Sequence, residues 1–83
     1  MKSEHFDLSR LPPGCRATIV DIRGRGPEKD RLIDLGFTPP LEVKALFRSP
    51  SGNPAAYEVM GAVLALRAED ASKIIVQKGS RFL

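Results

Sequence analysis

Asp30-Arg31-Leu32-Ile33-Asp34-Leu35-Gly36-Phe37-Thr38-Pro39-Pro40-Leu41-Glu42-Val43 joins a helical pattern to a strand pattern through one glycine and two prolines. Leu32 and Leu35 lie three apart, so they are read as sharing one face of a short helix. Gly36 follows directly. Glycine enters the left-handed conformation at low cost, so it reads as the helix C-terminal cap. Pro39 and Pro40 cannot extend a helix, and each biases the residue before it towards an extended backbone. Beyond them Leu41, Val43, Ala45 and Phe47 alternate with Glu42, Lys44 and Arg48, the period of a half-buried strand. The corner is thus helix, proline turn, strand. It carries no evident catalytic group.

Upstream, Leu8 and Leu11 suggest one helical turn laid over the core, capped by Asp7 or Ser9. Pro12-Pro13-Gly14 reads as a turn. Cys15 to Arg23 is the first expected strand, with Ala17 and Ile19 on one face and Val20 and Ile22 on the other. That phase change near Ile19-Val20 marks either a bulge or coiling of the strand. Gly24-Arg25-Gly26 leads into Pro27, which suits the first helical position, and Glu28 and Asp30 complement the positive helix end. Downstream, Ser49 to Pro54 is a loop by composition. Ala55 to Met60 is the third strand, Gly61-Ala62 a tight connection, and Val63 to Arg67 the fourth strand. One helical turn over Ala68 to Ser72 and a fifth strand over Ile74 to Gln77 complete the set.

These elements make one mainly β domain over 1–83, with a core over 8–78 and tails at 1–7 and 79–83. The expected architecture is a small, partly open barrel of about five strands with one short inserted α-helix and a short N-terminal helical turn. With 83 residues, 42% of them hydrophobic, most large apolar side chains are needed for folding. The 13 basic and 10 acidic residues are interspersed, and the net charge of +3 permits an acidic partner without demanding one. The single cysteine, Cys15, excludes an intrachain disulfide and fits a reducing compartment. No apolar run reaches membrane-spanning length, and Met1 to Arg10 has no signal-peptide block. The chain therefore reads as soluble and cytoplasmic.

Ordered motifs now accumulate: Leu11-x-x-Gly14, Ile19-x-x-Ile22, Arg31-Leu32-x-Asp34-Leu35-Gly36-Phe37, Asn53-Pro54-x-x-Tyr57-x-Val59-x-Gly61, Ala65-Leu66-Arg67 and Ala71-x-x-Ile74-x-Val76. This series resembles the FeoA family, the small cytosolic component of bacterial ferrous iron uptake, over nearly the whole chain. The resemblance implies an SH3-like β-barrel. It also implies a non-enzymatic accessory role beside FeoB, the membrane iron transporter with a cytosolic GTPase domain. Gly14, Leu32, Leu35, Gly36, Tyr57, Gly61 and Leu66 are then its structural positions. The family places a glycine near position 40, where this chain has Pro39-Pro40. A polyproline-like segment is the expected replacement.

His5, Asp7, Cys15 and Asp21 are the tempting iron ligands, but no short spacing pairs two strong ligands, so no metal site and no cofactor is assigned. Cys15 has only His5 as a conceivable base, so a catalytic thiol is not assigned either. Gly24-x-Gly26 lacks the Lys-Ser/Thr of a phosphate loop. Arg16, Arg23, Arg25, Lys29 and Arg31 are dense, yet there is no Trp and one Tyr, so a stacking surface for nucleic acid is missing. Partner contact is expected on barrel loops and the helix edge. Arg23, Arg25, Arg31 and Arg48 form its rim, and Ile33, off the Leu32–Leu35 face, is an apolar anchor. Arg31 is equally able simply to pair with Asp34 one turn away. Exposed strand edges make a homo-oligomer possible. The rival reading is a freestanding metal-responsive or nucleic-acid-associated regulatory domain, like the C-terminal part of metal-dependent repressors.

Overall fold

Apolar alternation, interrupted at two bulges, builds a six-stranded antiparallel sheet in the order His5–Asp7, Ile74–Lys78, Arg16–Ile22, Glu42–Arg48, Ala55–Val59, Ala62–Leu66. The structure, a computed structural model, describes residues 5–78. The strands are β1 (His5–Asp7), β2 (Arg16–Ile22), β3 (Glu42–Arg48), β4 (Ala55–Val59), β5 (Ala62–Leu66) and β6 (Ile74–Lys78). Helix α1 spans Pro27–Leu35, α2 spans Ala68–Ala71, and a 3₁₀ turn covers Leu8–Arg10. This is the expected mainly β architecture with one strand more. Residues 5–7, read as tail, pair with β6, with Phe6 opposite Val76. Three residues are too few to show a period, so only the tertiary pairing reveals them. The expected tail at 79–83 lies outside the described residues.

One face of the sheet closes on a single core. Ala17, Ile19 and Ile22 come from β2, Val43 and Ala45 from β3, Tyr57 and Val59 from β4, Leu66 from β5, and Ile74 and Val76 from β6. Leu8 and Leu11 lie over it from the 3₁₀ turn, whose N-terminus Asp7 caps by accepting from the Ser9 N–H at 3.1 Å. Of the bulge or coiling expected near Ile19-Val20, the strand has a bulge, between Ile19 and Asp21. It returns Ile22 to the core face at 4% exposure, whereas simple alternation sends it to the other side. A second bulge lies between Ala45 and Phe47. It turns Phe47 outward, to 61% exposure, against the alternation that groups it with Val43 and Ala45.

The deciding corner closes differently from the sequence reading. Gly36, at φ 112°, donates to Ile33 O at 2.9 Å, and Phe37 N–H donates to Leu32 O at 3.0 Å. This is the Schellman arrangement, in which the residue after the glycine packs on the helix residue five before it. Phe37 and Leu32 are 0% and 1% exposed, while Leu35 is 37% exposed. The apolar pair that seats the helix is therefore Leu32 with Phe37, and Leu35 is not a core residue. A Cβ on Gly36 would stand 2.9 Å from Val59 Cγ1, so β4 packs directly on the cap.

The Pro39–Pro40 peptide bond is cis, and Leu41 N–H donates to Thr38 O at 3.0 Å. The connection is a tight proline turn, not the expected polyproline-like segment. The β4–β5 hairpin turns at Met60-Gly61, with φ 52° and 81°, one residue earlier than expected. Positive φ at both central residues is the two-residue turn that matches strand twist.

Candidate partner-binding surface

The sequence-chosen residues divide between two ends of the molecule. β2 and β3 run antiparallel, with Arg16 opposite Lys44. Arg23 leaves the end of β2, whereas Arg48 ends β3 beyond the start of β2. Around the first end, Arg23, Arg25, Arg31 and Ile33 follow one another through the β2–α1 loop and along α1, all exposed. Arg23 N–H donates to Lys73 O at 2.7 Å, which fixes the loop against the approach to β6. Ile33, at 38% exposure, lies one turn from Lys29 and Asp30 on the solvent side of the helix.

Arg31 does not pair with Asp34. Its Nη2 donates to Asp70 Oδ2 of α2 at 2.8 Å, and Lys73 Nζ donates to Glu28 Oε1 at 2.5 Å. Two ion pairs thus tie α1 to the segment between β5 and β6. The hydrogen bond from Lys73 to Glu28 raises the Lys73 ammonium above its ordinary value. Arg23 and Arg25 make no ion pair among the described residues. They are the guanidinium groups of this end that a partner can meet without first displacing a carboxylate.

Arg48 belongs to the opposite end. It donates to Ser9 O at 3.3 Å and Leu11 O at 3.4 Å, so it braces the 3₁₀ turn against β3. The Tyr57 ring beneath is 2% exposed. Burial pushes its hydroxyl above the ordinary value of 10.0, with Arg48 opposing and Asp7 adding. Asn53 Oδ1 accepts from Ala68 N–H at 2.9 Å and ties the β3–β4 loop to α2. The Asn53-Pro54-x-x-Tyr57 motif is architectural at this end.

The four tempting metal ligands do not converge. Asp7 caps the 3₁₀ turn, Asp21 Oδ1 accepts from Ile22 N–H at 2.8 Å, Cys15 is exposed after the Gly14 turn, and His5 stands opposite Gln77. Among the described residues no three His, Cys, Asp or Glu side chains are grouped. No described helix is long and apolar enough to cross a membrane. Surface clefts of about 240, 230 and 220 Å³ fall below the usual range for small-molecule sites.

Sequence reasoning missed the exposed apolar residues Phe47, Met60 and Val63. Phe47 was hidden by the bulge. Val63 was visible in principle, because Ala62-Val63-Leu64-Ala65-Leu66 has no polar alternation and one of its faces had to remain apolar and outward.

The sequence model of the FeoA domain family matches residues 6–78. A curated relative from Porphyromonas gingivalis (strain ATCC BAA-308 / W83), an Fe(2+) transport protein A/Fe(2+) transporter FeoB fusion protein, is 36% identical over 70 residues. The match takes in 84% of this chain, which spans only 8% of that relative's length. The zinc-complexed FeoA of Stenotrophomonas maltophilia, a prokaryotic SH3-domain protein, is 28% identical with a TM-score of 0.76, covering 86% of this chain and 88% of that one. A manganese-dependent transcriptional repressor superposes with a TM-score of 0.81 at 16% identity, over 94% of this chain and 44% of that one. At that identity the likeness is one of fold.

Proposed function

The chain belongs to the FeoA domain family, a family of small accessories of ferrous iron transport with an SH3-like fold, and from that premise we propose that it docks on the cytosolic part of a FeoB-type transporter. It acts there in the cytoplasm, without catalysis of its own, by biasing the transporter's conformational or nucleotide state. The observation that carries this reading is the fused relative, in which a related sequence and FeoB share one polypeptide. Covalent linkage raises the effective concentration of one module for the other, and it is useful where the two meet. In separate chains the same meeting needs a surface with its own affinity.

The end built by the β2–α1 loop and α1 supplies that surface. Arg23 and Arg25, in no ion pair among the described residues, offer positive charge, and Ile33 an apolar anchor. Arg31 joins them only by giving up Asp70. Guanidinium groups recognise carboxylates in a planar, bidentate manner, so an acidic partner surface with an apolar centre fits. Regulation follows by linkage, because docking shifts the transporter only in so far as one of its states binds more tightly than another.

The test is titration of the purified FeoB cytosolic domain, empty and with a GTP analogue, against the wild-type chain and an Arg23→Glu/Arg25→Glu variant. Saturable binding to one nucleotide state, weakened by the variant, supports the reading. Equal affinity for all states would remove the regulatory part. Absence of binding to both the domain and the membrane-embedded transporter would remove the docking part.

A further inference from the structure

Strand β5 is an edge of the sheet, bonded to β4 on one side, and among the described residues no strand pairs with its other side. It reads Ala62-Val63-Leu64-Ala65-Leu66, five residues with no charge, no polar side chain and no proline. Edges are normally blunted by charge, proline or shortness, because a row of free N–H and C=O groups is a template for another strand. The opposite edge follows that rule. β1 has three residues, and His5 and Asp7 flank its only apolar member. β5 does not follow it.

The outer face beside β5 is apolar as well. Phe47 stands opposite Ala56 and Ala56 opposite Ala65, so an apolar row runs across three strands to the edge, exposed at Phe47 and Ala65 and buried at Ala56 between them. Val63, at 59% exposure, stands two residues along β5 on the same face. Lys44 and Glu58, the next cross-strand pair, lie behind Val63 and leave the edge itself uncharged.

We propose that β5 is a self-association edge, taking a second copy of this chain in an antiparallel, two-fold pairing centred on Leu64. That register sets Leu64 against Leu64 of the second copy, Val63 against Ala65 and Ala62 against Leu66. Each off-centre pair joins a larger side chain to an alanine, and no pair opposes like charges. The strand is complementary to itself in length, side-chain size and charge. A two-fold contact uses the same surface twice and closes on itself. Pairing β5 with β1 of another copy would instead propagate an open filament, and β1, short and charged, opposes it. The joined sheets carry the Phe47–Ala56–Ala65 row of one copy onto Val63 of the other, covering apolar surface that a lone chain leaves in water.

Sedimentation equilibrium of the 83-residue chain from about 10 µM to about 1 mM tests this, since edge pairing of this extent belongs in that affinity range. The apparent mass rises with concentration from 9.1 kDa towards twice that value. Val63→Lys and Ala65→Glu, both at exposed positions, each hold the chain at monomer mass with an unchanged melting temperature. Mixed together, the two variants recover the dimer, because the register sets the introduced lysine opposite the introduced glutamate. A wild-type chain that stays at monomer mass throughout overturns the proposal. So does a dimer that persists unchanged in both single variants, or a mixture that stays monomeric.

Discussion

Arg31 Nη2 and Asp70 Oδ2 lie 2.8 Å apart, joining α1 to α2 across 39 residues of sequence. The Arg31 side chain is 53% exposed and that of Asp70 19%, so the pair is a surface latch and not a buried bridge. A double-mutant cycle of Arg31→Ala and Asp70→Ala should therefore give a coupling of roughly 0.2–1 kcal/mol in urea unfolding, shrinking in high salt. The Arg31→Ala and Asp34→Ala cycle should give no coupling, because Arg31 is turned towards α2.

Gly36 and Gly14 both have positive φ, at 112° and 89°, but only Gly36 faces a neighbour that a Cβ would strike. Gly14→Ala carries backbone strain alone and should cost about 1–2 kcal/mol. Gly36→Ala adds the collision with Val59 Cγ1 and should cost roughly 2–4 kcal/mol. Denaturant midpoints of the two variants give the comparison directly. Equal losses would mean that β4 yields to the extra methyl at no cost.

Leu32 and Leu35 have identical chemistry and nearly opposite surroundings, at 1% and 37% exposure. Leu32→Ala should destabilise by about 2–5 kcal/mol, a large part of the on the order of 4–12 kcal/mol that a domain of this size has. Leu35→Ala should cost at most about 1 kcal/mol. Chemical unfolding of both variants checks the assignment of Phe37, not Leu35, as the partner of Leu32.

Two groups set the alkaline limit. Burial raises Tyr57 and favours its neutral form in the folded state, while the hydrogen bond to Glu28 raises Lys73 and favours its charged form. Both contributions are complete below the unfolded-state values of 10.0 and 10.5 and are lost as pH rises through the higher folded-state values. Melting temperature should hold level up to pH 10 and fall above it. Tyr57→Phe should make that fall shallower, and an unchanged slope would show that Tyr57 ionises as freely folded as unfolded.

The helix, its glycine cap, the Pro12-Pro13-Gly14 turn and five of the strands were legible because each rests on a local signal: proline at the first helical position, glycine at positive φ, period-two alternation as in β3, and apolar or β-branched runs as in β5 and β6. What was not legible is non-local. β1 exists only through β6, the outward turn of Phe47 only through a bulge, and the Arg31–Asp70 contact only through chain folding that brings together residues 39 apart in sequence. The surface list was legible in composition but not in grouping. Arg48 reads like Arg23 and Arg25 in the sequence, yet chain direction carries it to the other end, where it braces Ser9 and Leu11.

Docking at the Arg23–Arg25 end is tested by the affinity of this chain for the FeoB cytosolic domain, by titration calorimetry with and without a bound GTP analogue. Binding should be saturable and one-to-one, should differ between nucleotide states and should weaken at least tenfold, about 1.4 kcal/mol, in the Arg23→Glu/Arg25→Glu variant. The Arg48→Ala variant should bind as the wild type does, because Arg48 faces the other end. Loss of binding in Arg48→Ala with full binding in Arg23→Glu/Arg25→Glu would exclude docking at the Arg23–Arg25 end and move the docking surface to the Tyr57 end.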